Sequence, residues 1–209
     1  VSAAKVLERL QQKEVIKKLS KGRFYRPEKT LFGELQPDYQ EQLSVYLFED
    51  GKRIAYVTGP ALYNRLGLTR QVANRLKIAS LNKRITINRG TLKAKAVKSY
   101  VPVTTQNFEL LGYLDALKDI KKIPDAPVQS TLRMMRNLIQ DLDAQKRQEL
   151  SGNAFYYPAR VRSLLGAILE ADFKNEDVST LKASLNPLTI FKIGITPVML
   201  ANAPNWNIV

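Results

Sequence analysis

Basic side chains crowd the N-terminal end of this 209-residue chain, and their types suit contact with a nucleic acid. Lys5, Arg9 and the residues near Ser2 lie where a recognition helix would meet base edges or the flanking phosphates of DNA. Six basic residues then follow between Lys13 and Arg26, opposed only by Glu14. Contacts to phosphates or to the minor groove are expected from a second set of residues: Lys17, Lys18, Lys21, Arg23, Tyr25 and Arg26.

Local patterns supply the elements that would carry these side chains. They predict an amphipathic helix over Ser2–Gln12, capped by Ser2, and a hairpin with strands at 15–19 and 23–26 around a turn at 20–22. A helix followed by a basic hairpin is the order of elements in the second half of a winged helix. Since the chain begins with Val instead of Met, we expect the helices that precede the recognition helix to be missing. The alternative is that the helix and hairpin have only a structural role, packing within the protein with their lysines in solvent.

The charge distribution also indicates a polyanionic partner. Residues 1–108 contain 21 Lys and Arg against 8 Asp and Glu, whereas residues 109–209 contain 12 against 11. Between Gly51 and Phe108 there are 12 basic residues and no acidic one. This stretch predicts a second positive surface that extends a DNA footprint or binds RNA. The alternative is that half of these residues simply solvate a sheet. The candidate residues of this surface are Arg53, Arg65, Arg70, Arg75, Lys83, Arg84 and Arg89.

Composition favours binding over catalysis. The chain has neither Cys nor His, which excludes disulfides, thiolate or imidazole metal ligands and Ser-His or Cys-His nucleophiles. We therefore expect no cofactor, no metal and no enzymatic activity. No apolar run is long enough to span a bilayer and no signal peptide opens the chain, so we expect a cytoplasmic protein with no membrane partner.

One pair of carboxylates keeps an enzyme hypothesis open. Asp115 and Asp119 are four residues apart, which would place both on one helix face, with several lysines nearby. A small nuclease or transferase could use such a pair. A solvated or salt-bridged helix face is the expected alternative, and the sequence holds no P-loop, dinucleotide-binding, serine-hydrolase or zinc-protease motif.

The expected fold class is α+β. The predicted parts are the truncated winged helix-turn-helix over 1–27, a polar connector over 28–42 and an α+β domain over 43–209. Within that domain we expect a small sheet at about 43–100, helices at about 106–173 and a packed tail at 185–209. The sheet should have a helical insertion after Gly59 and a turn at 88–90. The helices should span 106–122, 128–150 and the segment after Pro158, and the tail should pack through apolar residues that include Leu188 and Ile190.

Four blocks of the chain are distinctive as sequences: GRFYRPEKTLFGELQP, TGPALYNRLGLTRQVAN, LDALKDIKKIPDA and SLNPLTIFKIGI. Together they resemble the AbiEi-type transcriptional regulators, which are antitoxins of type IV toxin–antitoxin systems. The resemblance implies an N-terminal winged helix-turn-helix and a larger C-terminal domain. It matches Ser2–Gln12 to the recognition helix and Val15–Arg26 to the wing. For the Gly59–Thr69 block it gives no role that the residue types explain.

The resemblance also implies partners. Such regulators repress transcription by binding inverted repeats in their own promoter. Their cognate toxin is a nucleotidyltransferase-like, GTP-binding enzyme with which the antitoxin forms no stable complex. We therefore expect double-stranded operator DNA as the partner of this chain, and a toxin as its genetic companion. The sequence leaves open an orphan regulator without a toxin, and an RNA-binding module that uses residues 51–108.

Overall fold

The structure, a computed structural model, describes the chain except for residues 1, 21, 31–32, 36–38, 83–85 and 90–91. Only the backbone is described for residues 19, 20, 23, 28–30, 33–35, 39–41, 88, 89 and 92. The chain forms two compact units, Val1–Glu49 and Asp50–Val209. Each unit contains helices and strands, which confirms the predicted α+β class.

The first unit begins with a helix and two small hairpins. Helix α1 (Ala3–Gln12) is followed by the antiparallel pair β1 (Lys17–Ser20) and β2 (Arg23–Tyr25), then by the antiparallel pair β3 (Glu28–Thr30) and β4 (Gly33–Leu35). Helix α2 (Tyr39–Leu47) and the short strand β5 (Phe48–Glu49) complete the unit. The predicted helix and first hairpin are confirmed, with β1 starting two residues later than expected. The segment predicted as a connector contains the second hairpin and the start of α2.

A four-stranded mixed sheet opens the second unit. After β6 (Lys52–Arg53), the elements are β7 (Ala55–Thr58), α3 (Pro60–Arg65), β8 (Leu76–Ser80), β9 (Thr86–Arg89) and β10 (Leu92–Lys98). The strand order is β7-β8-β10-β9, with β8 parallel to β10 and the other pairs antiparallel. The predicted sheet with a helical insertion is thus confirmed. The predicted turn at 88–90 is wrong for Asn88 and Arg89, which belong to β9 and pair with β10.

Five helices follow in the described chain: α4 (Phe108–Lys118), α5 (Val128–Gln140), α6 (Ala144–Ala154), α7 (Ala159–Asp172) and α8 (Ser179–Ala183). The single helix predicted over 128–150 is wrong, because the chain breaks at residues 141–143. The Asp143 carboxylate accepts a hydrogen bond from the Lys146 amide at 2.7 Å and so caps a new helix. The first predicted helix also ends earlier, at Lys118 instead of Lys122, with Asp119 at its C-cap.

The core of the second unit is built around α7 and is closed by the tail. Eight of the fourteen residues of α7 are buried. A short 3-10 helix (Ala203–Trp206) packs beside it, and Phe191 and Ile208 form a parallel bridge. The tail therefore packs as predicted, but Leu188 and Ile190 are 88% and 63% exposed. The Asn186 side chain accepts from the Leu188 amide at 2.9 Å, and this turn directs Leu188 outward.

Gly166 on α7 leaves the space in which Trp206, the tryptophan of the tail, packs. A Cβ at Gly166 would lie 2.1 Å from the nearest carbon of the Trp206 ring, so the ring rests directly on the helix backbone. The indole Nε1 donates to the Glu170 carboxylate at 2.8 Å, and the Ser163 hydroxyl donates to the Trp206 carbonyl at 2.6 Å. Trp206 is 1% exposed. These contacts hold the tail against α7 in one position.

Candidate functional site

Helix α1 presents three of the predicted DNA-contacting residues on one face. Ser2, Lys5 and Arg9 are separated by three and four residues, the spacing that aligns side chains on one side of a helix, and all three are exposed. Ser2 occupies the predicted N-cap position, yet its hydroxyl makes no capping bond. That hydroxyl is available to a ligand beside the two cations.

The other side of α1 carries its apolar residues. Leu7 and Leu10 are half-buried, and no described residue of the helix is buried. The apolar spacing of Val6, Leu7 and Leu10 predicts that all three face inward, but Val6 is 44% exposed. Because Val6 borders the Lys5 and Arg9 face, it adds an apolar contact surface next to the cations.

A left-handed turn connects α1 to the hairpin. Glu14 has φ 55°, and its amide bonds to the Gln11 carbonyl at 2.9 Å while the Val15 amide bonds to the Leu10 carbonyl at 3.0 Å. These two bonds are the Schellman motif, in which glycine usually holds the left-handed position. The motif fixes where β1 begins relative to the end of α1. It also places Glu14, the single acidic residue between Lys13 and Arg26, at this turn.

The hairpin register sorts the wing residues onto two faces. Lys17 pairs with Tyr25 and Lys18 pairs with Phe24, and residues that lie opposite each other across an antiparallel pair share a face. The register shifts between Lys18 and Ser20. Such a bulge bends the strand and increases its twist near the turn.

Of the wing residues, Lys18 and Arg26 are exposed, whereas Lys17 and Tyr25 are half-buried. Lys21 lies outside the described residues, and for Arg23 the backbone alone is described, in β2. The structure therefore brings the described wing cations into the same unit as the Lys5 and Arg9 face.

The predicted second basic surface is only partly described. Arg65, Arg70 and Arg75 are exposed. The Arg53 guanidinium instead lies 3.9 Å from the centroid of the Phe108 ring, and burial together with Arg65 lowers the Arg53 pKa. Lys83 and Arg84 lie outside the described residues, and the side chain of Arg89 is not described.

The strand register shows how three of the 12 basic residues between Gly51 and Phe108, from which the second positive surface was predicted, are arranged as a lysine face. Lys95 pairs with Lys77 between β10 and β8, and Lys93 precedes Lys95 by two residues, so the three side chains share one face of the sheet. Lys93 and Lys95 are exposed and Lys77 is half-buried. The alternating KAKA pattern of residues 93–96 predicts that Lys93 and Lys95 share one face of β10. No sequence pattern predicts that Lys77 on β8 pairs with Lys95.

The two candidate carboxylates lie at the end of α4, but they are not a solvated pair. Asp115 is 3% exposed and accepts hydrogen bonds from the Tyr56 hydroxyl at 2.8 Å, the Thr58 hydroxyl at 2.6 Å and the Lys118 ammonium at 2.6 Å. Asp119 accepts from the Tyr63 hydroxyl at 2.8 Å. The salt bridge to Lys118 agrees with the alternative of a paired carboxylate, whereas the burial of Asp115 was not expected.

The tyrosines around this centre are held neutral. Burial raises the pKa of Tyr56 and of Tyr157, and the Asp115 carboxylate raises both further. Burial also raises the pKa of Tyr63, and Asp119 adds to this effect. A neutral phenol can donate a hydrogen bond to a carboxylate, and Asp115 accepts hydrogen bonds from three donors while it is only 3% exposed. Because these bonds stabilise the charged carboxylate and burial keeps a substrate away from it, the arrangement suits a clamp between α4 and β7 better than a general base.

The clamp also gives the Gly59–Thr69 block a structural role. Gly59 and Gly67 have φ 69° and 72°, and Pro60 begins α3. The helix between them places Tyr63 on Asp119, and the Thr69 hydroxyl donates to the Pro124 carbonyl at 2.7 Å. The block thus ties α3 to the chain that follows α4.

Among the described residues, no group of three or more acidic side chains is placed to hold a metal ion. None of the described helices is long and apolar enough to cross a membrane.

No curated protein and no solved structure matches the chain. The sequence model of one protein family, described as a family of unknown function, matches residues 1–146. The matched residues include the whole first unit and continue in the second unit through the sheet, α4 and α5. The chain therefore belongs to the family of unknown function DUF6088.

Proposed function

We propose that this chain is a DNA-binding transcriptional repressor of the cytoplasm. In this proposal the first unit is a winged helix, with α1 as its recognition helix and the β1–β2 hairpin as its wing. The proposed mechanism is occlusion of a promoter by the bound protein.

The observation that supports the proposal best is the single face formed by Ser2, Lys5 and Arg9. An α-helix is about 10–12 Å wide with its side chains, and the major groove of B-DNA is about 12 Å wide. Ser2 and Arg9 are seven residues apart, which corresponds to roughly 10 Å along a helix axis and to about three base pairs. One face of α1 therefore matches the reading length of a short half-site.

The charge around α1 supports the same proposal. Lys18 and Arg26 are exposed on the hairpin that follows the helix directly, and the register places Lys18 opposite the aromatic Phe24. Cations on a ribbon beside a recognition helix are positioned to contact phosphates, which fix register and orientation. Two acids accompany these cations: Glu14 lies at the turn between the two elements, and the exposed Glu8 lies on α1 beside Arg9.

The finer part of the proposal concerns partners. The resemblance of four sequence blocks to AbiEi-type regulators supports an autoregulatory antitoxin that binds an inverted repeat in its own promoter. A nucleotidyltransferase-like toxin would then be its genetic companion, without a stable complex between the two proteins. A reading frame for such a toxin directly beside the gene is the corresponding expectation.

DNA binding by the full chain tests the proposal. We expect the chain to prefer duplex DNA from its own upstream region to random duplex, with a slope of log K against log salt near −4 to −5, as about five neutralised phosphates require. The double variant Lys5→Ala, Arg9→Ala should lose about 1–3 kcal/mol of that preference, because these residues read bases. The double variant Lys18→Ala, Arg26→Ala should weaken binding to all duplexes equally and reduce the salt slope by about two.

One control variant and one refuting outcome complete this test. Lys146→Ala removes an exposed cation of α6 in the other unit and should leave the affinity unchanged. Equal affinity of the unmodified chain for upstream and random duplex would contradict a repressor.

A structured RNA that competes better than either duplex would favour the alternative, an RNA-binding module. The lysine face of Lys77, Lys93 and Lys95 is the observation that supports this alternative. In that case Lys93→Ala with Lys95→Ala should lower the affinity for RNA.

A further inference from the structure

The second unit contains a cavity of about 260 Å³ whose polar lining is entirely basic. Its walls combine side chains from the end of α4, the start of α7 and the tail. The basic residues that line it are Lys118, Lys121, Lys122, Arg160 and Lys192. No Asp or Glu belongs to the lining.

Lys118 is the one cation of this set that already has a carboxylate partner, since its ammonium lies 2.6 Å from Asp115. Within the described residues, Lys121, Lys122, Arg160 and Lys192 form no ion pair, and all four are exposed at the cavity. The Lys121 ammonium donates to the Lys192 carbonyl at 3.2 Å, which holds this lysine at the cavity. Four basic side chains around one small space, without a carboxylate among them, give it a positive potential that attracts anions.

Apolar residues form the remaining wall. Ile120, Phe191 and Ile193 are 1%, 8% and 5% exposed, so they form a fixed floor, while Ile190 is 63% exposed. A ligand that fits must therefore carry several negative charges at one end and tolerate apolar contact elsewhere. A phosphorylated small molecule has both properties, and two linked phosphates bring roughly three to four negative charges at neutral pH.

We propose that this cavity binds a small phosphorylated ligand of the size of pyrophosphate or a mononucleotide. Arg160 grips a phosphate through its planar fork of donors, and Lys121, Lys122 and Lys192 neutralise the remaining charge. A space of about 260 Å³ admits a phosphate group and part of the molecule that carries it, but not a duplex. The site lies in the second unit and does not depend on the proposed binding of DNA.

Isothermal titration of the full chain with pyrophosphate tests the site. We expect saturable binding at one site and a higher melting temperature in the presence of pyrophosphate, because a ligand that binds the folded chain and not the unfolded one stabilises the folded state. The variant Arg160→Ala, Lys192→Ala should weaken binding at least about tenfold. Both side chains are exposed, so the fold should be retained. The matched control Arg133→Ala, Lys146→Ala removes two exposed cations elsewhere in the same unit and should change the affinity less than about twofold.

Competition distinguishes the sources of the phosphate. A 5′-phosphorylated hexanucleotide that displaces pyrophosphate, when its 5′-hydroxyl counterpart does not, would support the site and identify a nucleic-acid end as its ligand. Displacement by AMP but by neither hexanucleotide would support a free nucleotide. Equal displacement by both hexanucleotides, equal weakening in the matched control, or no saturable binding of pyrophosphate would overturn the proposal.

Discussion

Replacing Gly166 by Ala should remove a substantial part of the free energy of unfolding of the second unit, although the change adds only one methyl group. The new Cβ would lie 2.1, 2.2 and 2.9 Å from three carbons of the Trp206 ring, whereas ordinary contact begins at 3.4 Å. The ring must therefore retreat by more than 1 Å. It is 1% exposed and bonded to Glu170, so it has no open space into which to move.

The magnitude follows from three terms. Overpacking of a closed core costs about 1–3 kcal/mol, and loss of the indole bond to the Glu170 carboxylate costs about 1.5–3 kcal/mol more. Alanine in place of glycine within a helix returns about 0.5–1 kcal/mol. The expected net loss is about 1.5–5.5 kcal/mol in the free energy of unfolding.

Gly152 provides the matched control. It lies within helix α6, and a Cβ there would meet no atom within 4 Å. Gly152→Ala should therefore stabilise the protein by about 0.5–1 kcal/mol, the intrinsic helix preference alone. The same chemical change thus has opposite signs at two helical positions.

Urea denaturation followed by tryptophan fluorescence and far-UV circular dichroism measures both variants, since Trp206 is the single tryptophan of the chain. The Gly166→Ala midpoint should fall by roughly 1 M or more. The double variant Gly166→Ala, Trp206→Leu should lose less than the sum of the single losses, because a smaller side chain relieves the overlap. A Gly166→Ala protein as stable as the unmodified chain, or a Gly152→Ala protein destabilised as much, would refute the reasoning.

Two further outcomes are expected in the same unit. Asp143→Ala removes the cap of α6 and should cost about 1 kcal/mol in urea denaturation, whereas Asp141→Ala, at the C-cap of α5, should cost nothing measurable. Raising the pH above the ordinary tyrosine pKa of about 10 should destabilise the folded protein. In the folded state the raised pKa values of Tyr56, Tyr63 and Tyr157 keep these groups protonated, whereas the unfolded chain releases their protons. The loss should approach about 4 kcal/mol per pH unit for the three groups. Of the phenolate absorbance of the 9 tyrosines, the part that belongs to these three should appear only together with loss of circular dichroism; ionisation of all 9 before unfolding would contradict their burial.

Local sequence patterns were sufficient to predict a helix wherever a short segment contained its own capping residue, glycine or proline. Ser2 and the apolar spacing after it located α1, Gly59 and Pro60 located α3, and Pro158 located the start of α7. Each is a residue whose backbone restriction or capping group acts within a few positions. The break at Asp143 had a local signal as well, but the apolar stripe continued across it and favoured one long helix.

The features that depend on distant pairs had no such signal. Tyr56 and Thr58 lie 59 and 57 residues before Asp115, and Trp206 lies 40 residues after Gly166 in the numbering, so no window along the chain shows these contacts. The basic cavity is similar, because its cations come from three segments and become a cluster only when α4, α7 and the tail meet. Burial of one carboxylate was likewise invisible, since its cost is offset by donors from another element.

The seating of Trp206 on α7 has a consequence for the order in which the chain acquires its structure during synthesis. The second unit cannot close its core until residue 208 has left the ribosome, because Ile208 pairs with Phe191 and Trp206 covers Gly166. The first unit ends at Glu49 and can begin to fold as soon as it emerges. At elongation rates of about 5–20 residues per second, the interval between the two events is on the order of ten seconds or more. During that interval the basic helix and hairpin of the first unit have already been synthesised, while the apolar helices of the second unit remain accessible to chaperones.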